Sequence, residues 1–363
     1  MSSSRKGITT VLSRTRLKIS PHLILYFSRG ILVCENYLTR QSFVASPATC
    51  EILSAFQKWR TVSQAIRTLP QYTDESILES VRNLIDHGLI IDSQSEQYMV
   101  EKKLANQWLW PIASRYYHFS TKIGESFSTS AEIRRYYERY LEGQRQPPIY
   151  KSYPKQSRVR LPSPSGTEAP LFATLRRRIS TREFTGAAIS LKQFSRIIYY
   201  TWGRISTYKT KEFGDLLHKT SPSAGARHPI EVYPIINKVS GLKPGIYHYS
   251  VRNHSLELLR RGDFREKCVA FTAGQSWTRN VSVLFIMTGV VARTAWKYRS
   301  ARVYRALLLD AGHLSQTFLL ASTALRLGAF CLGIISDSTI EKELGLDGIT
   351  EVALFAVGAG RAA

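Results

Sequence analysis

Ser221-Pro222-Ser223-Ala224-Gly225-Ala226-Arg227-His228-Pro229 runs directly into Ile230-Glu231-Val232-Tyr233-Pro234-Ile235-Ile236, and this junction decides how the second half of the chain is read. The first nine residues combine minimal side chains, two bracketing prolines and one arginine. Small residues at 223 to 226 let backbone N–H groups approach a flat ligand closely, and the fixed proline φ angles leave less to be ordered when one binds. In the next seven, Ile230, Val232, Pro234 and Ile236 alternate with Glu231, Tyr233 and Ile235, which predicts a partly buried strand. The expectation is a ligand-facing loop leading into a sheet. A Pro/Ser/Gly run alone is also the composition of an ordinary surface turn, so the reading depends on what converges on it.

Two further elements do. Upstream, Arg176-Arg177-Arg178-Ile179-Ser180-Thr181-Arg182-Glu183-Phe184 places Arg178, Ser180 and Arg182 at alternate positions. In extended conformation these project from one side, giving two guanidinium forks and a hydroxyl suited to a phosphate or polyol; a solvated basic helix end is the plainer alternative. Downstream, Leu327-Gly328-Ala329-Phe330-Cys331-Leu332-Gly333-Ile334-Ile335 is an apolar run punctuated by glycines. It follows a helix predicted over Ala301 to Leu327, in which Val303, Leu307, Ala311, Leu314, Phe318, Ala321 and Leu325 keep helical spacing. Glu351 to Val357 reads as a strand, followed by Gly358-Ala359-Gly360-Arg361, where Arg361 is either a phosphate contact or a terminal charge.

The first half has a different pattern. Leu23 to Val33 suits a hairpin turning at Gly30. Ser46 before Pro47 is an N-cap signal, Thr61-Val62-Ser63-Gln64 has capping-box spacing, and Thr73 caps a third helix with the apolar stripe Ile77, Leu78, Val81, Leu84 and Ile85. Gly88 ends that helix, and Leu89-Ile90-Ile91 returns as a strand. The expected unit, residues 19–95, is winged-helix-like and follows a basic tail, residues 1–18. Such units either enter a DNA groove or accept a peptide as an added strand. Glu79 and Asp86 against the single Arg82 make the third helix a poor phosphate binder, which turns the reading toward peptide and away from nucleic acid. Residues 96–168 carry aromatic clusters (Trp108, Trp110, Tyr116, Tyr117), a basic amphipathic stretch from Glu132 to Glu142, and from Pro147 to Pro170 a linker or an arm laid across a neighbour.

Composition bounds the partners. The 363-residue chain is 44% hydrophobic with six Trp and 19 Tyr, which excludes a disordered chain, and its length favours two domains. A net charge of +23, from 50 Lys+Arg against 27 Asp+Glu, favours an anionic partner or simply a soluble basic surface. Cys34, Cys50, Cys268 and Cys331 are scattered without metal-ligand spacing, so reduced thiols and no structural metal are expected. The longest apolar run, Val281 to Val291, is too short to span a bilayer, and the N-terminus lacks an apolar signal core; a cytoplasmic protein without membrane contact is the expectation.

Together, Arg178-x-Ser180-x-Arg182-x-Phe184, the 221–227 loop, Gly241-Leu242-Lys243-Pro244-Gly245-Ile246-Tyr247 and Asp310-Ala311-Gly312-His313 resemble the nitroreductase superfamily, and within it the SagB-type peptide dehydrogenases, or azoline oxidases. The match covers roughly residues 171 to 361, and His118-Phe119-Ser120-Thr121 also looks like the family's N-terminal extension. The resemblance implies an α+β fold, a mixed sheet flanked by helices, with residues 169–363 forming an FMN domain. It implies that Arg178, Ser180 and Arg182 hold the FMN phosphate and ribityl chain, that Pro222, Ser223, Ala224 and Gly225 border the isoalloxazine with Leu332 and Gly333 at its other edge, and that Arg361 is a late phosphate contact. Relatives are homodimers with flavin at the subunit interface, and the first domain looks like the PqqD-type element that binds a precursor's leader segment.

Lys297-Tyr298 matches the family's Lys-Tyr pair, to which catalysis is attributed. Oxidising an azoline removes a hydride and a carbon-bound proton, and a lysine whose pKa is lowered by desolvation and by Arg293 or Arg299 can take the proton while a tyrosine orients. Neighbours on a strand point apart, so a turn or helix is expected at this pair. His228, Arg299 and the ending Gly358-Ala359-Gly360 depart from the family pattern. The implied function is FMN-dependent oxidation of thiazoline or oxazoline rings in a ribosomally made precursor peptide, with dioxygen reoxidising the flavin and a cyclodehydratase as potential partner. The alternatives are an NAD(P)H-dependent reductase of nitro compounds or quinones, and a nucleic-acid-binding regulator.

Overall fold

The computed structural model describes residues 15–107, 111–122, 139, 141–166, 168–211 and 213–363. Trp108, Trp110, most of the basic tail and most of the stretch 132–142 lie outside the described residues. The chain forms two compact units, Met1–Ser126 and Phe127–Ala363.

In the first unit, β2 (Leu23–Ser28) and β3 (Ile31–Asn36) form the hairpin that the sequence predicts, turning through Arg29 and Gly30, both at positive φ. A third strand, β4 (Gln41–Val44), pairs with β3, while β1 (Leu17–Ile19) pairs with β5 (Ile90–Asp92). β4 escapes a pattern reading because its four residues carry no clear alternation. Helices α1 (Pro47–Ala55), α2 (Val62–Ile66) and α3 (Asp74–Asp86) begin where the capping signals put them. Ser46, Thr61 and Thr73 each accept from the backbone N–H three residues on, which satisfies an otherwise orphaned donor. Their apolar faces close a core of Ile52, Leu53, Phe56, Ile77, Val81 and Leu84 with Leu17 and Ile90. Two more helices, α4 (Glu96–Gln107) and α5 (Ile112–Ser120), belong to the same unit.

The second unit is built on a seven-stranded sheet of order β13-β14-β12-β9-β10-β11-β6. Its strands are β6 (Arg158–Arg160), β9 (Ile230–Ile236), β10 (Gly245–Ser250), β11 (Ser255–Arg261), β12 (Val283–Val290), β13 (Gly328–Leu332) and β14 (Glu351–Gly360). Every pairing between them is antiparallel, and among the described residues parallel pairing is confined to the isolated bridges Ser180–Ala329 and Ile189–Val239. Helices α7 (Leu191–Trp202) and α10 (Tyr304–Ala324) cover one face, where Trp202, Phe285 and Phe318 pack ring on ring. Helices α8 (Arg265–Phe271) and α11 (Asp337–Leu344) flank the other face. Being covered on both sides, the interior strand β12 is apolar at almost every position, which is why Val281–Val291 reads as a long hydrophobic run.

Three local expectations change. The stretch from Pro147 to Pro170 lies on its own sheet: β6 pairs with β11, Leu161 is buried, and Lys151 reaches Tyr233 and Glu351. The predicted helix from Ala301 starts as a 3-10 turn and is α-helical only from Tyr304, through Ala324. The last strand continues through Gly358-Ala359-Gly360 rather than stopping at Val357; a Cβ on Gly358 would fall 2.4 Å from the Phe330 ring, so the glycine serves close strand packing instead of a turn.

Candidate functional site

The loop before β9 is held by a carboxylate. Ser223 Oγ donates to Asp310 Oδ2 at 2.5 Å, the Ala224 N–H donates to Asp310 Oδ1 at 3.4 Å, and the His228 N–H donates to Ser223 Oγ at 2.9 Å. These bonds fold 224–226 into a 3-10 turn with Gly225, Ala226 and His228 at positive φ, a conformation only glycine adopts without strain. Behind the turn is a small pocket in which Lys219, Ser223, His228 and Asp310 meet Pro222, Ile230 and Leu314. Burial pulls Lys219 down to about 8 and His228 down to about 3, and it raises Asp310.

Lys297 and Tyr298 follow α9 (Val291–Ala295) on one further helical turn, their N–H groups both donating to Thr294 O. The turn gives the consecutive side chains a common target: a Cβ on Gly225 would lie 2.6 Å from Tyr298 Oη and 3.2 Å from Lys297 Nζ. Gly225 thus leaves room for both reactive ends at one point of the loop. Burial, reinforced by Arg227, lowers the Lys297 pKa; burial raises that of Tyr298 against the opposing pull of Arg227. The cation beside Lys297 is therefore Arg227, not Arg293 or Arg299 as the sequence suggested. Arg293 is buried in an ion pair with Glu231 at 2.6 Å and also donates to Pro148 O and His228 O. Arg299 donates to Gln144.

Arg227 lies over Trp296, 5.3 Å from its ring, and 6.0 Å from that of Phe213. Phe213 belongs to the turn between β7 (Ser206–Thr210) and β8 (Gly214–His218), a hairpin the sequence reading passed over. The Gln146 amide accepts from Arg227 at 3.1 Å and donates to Phe213 O at 3.0 Å. Sequence reasoning missed Phe213, Trp296 and Gln146 because their contacts come from three segments distant in the chain. Asp310 was visible only as part of a motif.

The remaining predicted residues form a second group. Helix α6 (Leu171–Arg177) ends at Arg178, Ser180 bridges Ala329 on β13, and the Thr181 N–H donates to Ala329 O at 2.8 Å. Thr185 N–H donates to Arg361 O and Ala363 N–H donates to Glu183 O, so Arg361 and the arginine/serine triplet occupy one corner of the sheet. Leu332 is three residues along β13 from the Ser180 bridge, ~10 Å at strand rise, with Gly333 next. Among the described residues Arg178, Arg182 and Arg361 form no ion pair.

The two groups are apart in one chain. Ala329 is level with Ala359, Val283 and Ile236, whereas the loop enters β9 at Ile230, six residues and therefore ~20 Å farther along the strands. Both fit the parts of FMN. Three guanidiniums and a hydroxyl without carboxylate partners suit a phosphate, and the small-residue loop held open at Gly225, beside the buried and unpartnered Arg227 Nη2, suits a ring edge.

The nitroreductase family pattern matches residues 175–361. The trifolitoxin-processing protein TfxB of Rhizobium leguminosarum bv. trifolii is 25% identical over 84% of this chain and 85% of its own. The trifolitoxin operon protein TfxC of the same organism is 25% identical over 95% of this chain and 100% of its own. Among solved structures, a protein from Anabaena variabilis described as a nitroreductase superposes with a TM-score of 0.53 at 22% identity, covering 70% of this chain and 49% of that one; the likeness is one of fold.

Proposed function

The chain belongs to the nitroreductase family of oxidoreductases, and from that premise we propose that it is an FMN-dependent SagB-type dehydrogenase oxidising thiazoline or oxazoline rings of a ribosomally made precursor peptide. The observation that carries the reading is the convergence of Lys297 Nζ and Tyr298 Oη on Gly225 of the small-residue loop. The likeness to the trifolitoxin-processing protein TfxB, and to the trifolitoxin operon protein TfxC, supports a peptide as substrate.

Arg178, Arg182 and Arg361 would bind the phosphate and Ser180 the ribityl chain, while Pro222 to Gly225 and Leu332-Gly333 would border the ring. FMN, when bound, supplies a two-electron acceptor for the hydride, and dioxygen restores its oxidised form. Lys297, its proton affinity lowered, takes the carbon-bound proton at Nζ; Tyr298 stays protonated and orients the substrate by hydrogen bonding. Asp310 fixes the loop through Ser223 and Ala224.

Two half-sites ~20 Å apart in one chain call for a homodimer, in which each site takes its phosphate grip from one copy and its loop and Lys297 from the other. The exposed apolar residues Leu171, Phe172 and Leu175 of α6, Ile179 beyond it, and Leu308 and Leu309 of α10 supply a face for the second copy. In the first unit, Leu25, Phe27, Ile31 and Val44 are exposed on the sheet of β2, β3 and β4, whose open edges suit a leader segment added as a strand. A cyclodehydratase must supply the azoline. No helix among the described residues is long and apolar enough to cross a membrane, and we place the protein in the cytoplasm.

The test is mass spectrometry of azoline-bearing candidate peptides incubated with the FMN-loaded protein. A loss of two hydrogens per ring, abolished by Lys297→Met, is expected. Bleaching of the flavin by NAD(P)H without peptide, and no mass loss, would replace this reading with a reductase of small electrophiles.

A further inference from the structure

Lys219, the residue after β8, is only 7% exposed, yet among the described residues its side chain makes no hydrogen bond and no ion pair. An ammonium carries three donors, and buried ones need polar company. Lys219 lines the small pocket behind the Gly225 loop, whose volume of about 10 Å³ is that of one water. The other polar walls are Ser221, Ser223, His228 and Asp310. Ser221 is engaged with Thr317 at 2.6 Å, and burial keeps His228 neutral. Asp310 is 4% exposed; it accepts from Ser223 and Ala224, and among the described residues it has no cation in direct contact.

Facing Lys219 are Glu231 of β9, Arg293 of α9 and Asp310 of α10, with neutral His228 from the loop. Facing Asp310 are His313, three residues on along α10, and Lys219. Glu231 and Arg293 are paired with each other at 2.6 Å, and their effects on Lys219 have opposite sign. His313 is exposed, so solvent screens its charge. The buried charge that remains for Asp310 is Lys219. We propose that Lys219 is a positioning residue for the Gly225 loop: across one water its ammonium holds Asp310 as the carboxylate that clamps Ser223 and Ala224. The proposal rests on the reading of this loop as the border of the FMN ring. A neutral Asp310 would turn an O–H toward two donors, so the clamp opens when its charge is lost.

The direction of the effect follows. Burial raises the Asp310 midpoint, while its two hydrogen bonds, His313 and Lys219 lower it. Lys219 itself, drawn down to about 8, stays an ammonium throughout the acid range. Removing a cation one water away, ~5–6 Å, raises a carboxyl midpoint by about one unit. The probe is hydrogen exchange of the peptide spanning residues 221–230 in the full-length protein, from pH 4.5 to 8, read by mass spectrometry and corrected for the intrinsic pH dependence of exchange. Protection of the loop amides should fall as pH drops through the Asp310 midpoint, and Asp310→Asn should remove that step. Lys219→Met is expected to move the midpoint up by about one unit, and Lys219→Arg, which keeps the charge, to hold it within a few tenths of the wild-type value. His313 is present in all these chains, so the difference between them isolates position 219. If Lys219→Met does not fold, Lys219→Gln, also neutral, must give the same upward shift. An unshifted or lowered midpoint in the folded neutral variant overturns the inference, as does an equal shift in Lys219→Arg, which would assign the effect to packing. Exchange needs neither flavin nor peptide. Failure of the two-hydrogen mass test overturns the azoline reading and leaves the clamp standing; an unshifted midpoint overturns the clamp and leaves that reading standing.

Discussion

Replacing Gly225 by alanine tests the point where Lys297 and Tyr298 meet the loop. The substitution has two separable costs. Gly225 sits at φ +60°, where a Cβ costs roughly 1–2 kcal/mol. In a domain of this size that corresponds to a fall in Tm of roughly 2–8 °C. The new methyl would also lie 2.6 Å from Tyr298 Oη and 3.2 Å from Lys297 Nζ, and restoring ordinary contact requires the phenol to retreat by ~1 Å. A misplacement of ~1 Å at reacting groups costs on the order of 100-fold in rate. The control is Gly241→Ala, also at positive φ (+83°), where the nearest atom is Leu191 Cδ2 at 3.9 Å. Both variants should lose similar thermal stability, followed by calorimetry, and only Gly225→Ala should lose peptide oxidation, followed as the initial rate of two-hydrogen loss. Equal activity in the two variants would refute the assignment of the pair to this loop.

Other expectations follow from buried charge. Arg293→Met takes one partner from buried Glu231, whose carboxyl burial would push up but which Arg293 and His248 hold down at about 2, and leaves His248 in place; stability should fall by up to about 3 kcal/mol in urea unfolding, and a loss under 1 kcal/mol would show that Arg293 is replaceable. His22 is buried and hydrogen-bonded to Tyr37, and burial, aided by Arg115, lowers it to about 4 from 6.5. Its stabilisation is thus complete above pH 6.5 and lost as pH falls toward 4, where the unfolded chain takes up the proton first, by up to about 3 kcal/mol. Hydrogen exchange of residues 17–92 should record this weakening between pH 7 and 4.5, and His22→Phe should flatten it; an unchanged slope would place the sensitivity elsewhere. Ser46→Ala removes the cap of α1 and should cost about 1 kcal/mol without affecting flavin content, as judged by calorimetry and absorbance.

Local rules made part of this molecule legible. Ser46, Thr61 and Thr73 announced their helices because capping is decided within four residues, and Gly30 announced its turn because a two-residue hairpin demands positive φ. The strand after Pro229 was visible from its β-branched residues, and the loop before it from its small side chains. What stayed hidden depends on tertiary contact. Nothing near Phe213 in sequence signals that its ring lies over Lys297, and nothing near Gln146 signals Arg227. Arg293 and Arg299 were natural candidates to perturb Lys297 because they are close along the chain, but Arg293, on α9, pairs with Glu231, Arg299 donates to Gln144, and Arg227 arrives from the loop instead. The glycines at 358 and 360 looked like a terminus of the strand, and only the Phe330 and Phe184 rings packed on them explain why the strand continues.

The central claim is that the arginine/serine corner of one copy and the Gly225 loop of another share one FMN. It is tested most directly by measuring bound FMN in a mixture of two differently disabled chains, Arg178→Ala/Arg182→Ala/Arg361→Ala and Gly225→Trp, dissociated and reassembled together. Each chain alone should hold no flavin. The equimolar mixture should recover about a quarter of the wild-type content, since half the dimers are mixed and each carries one intact site of two. No recovery from the mixture, with wild-type chains treated identically regaining full content, would contradict a site shared between subunits.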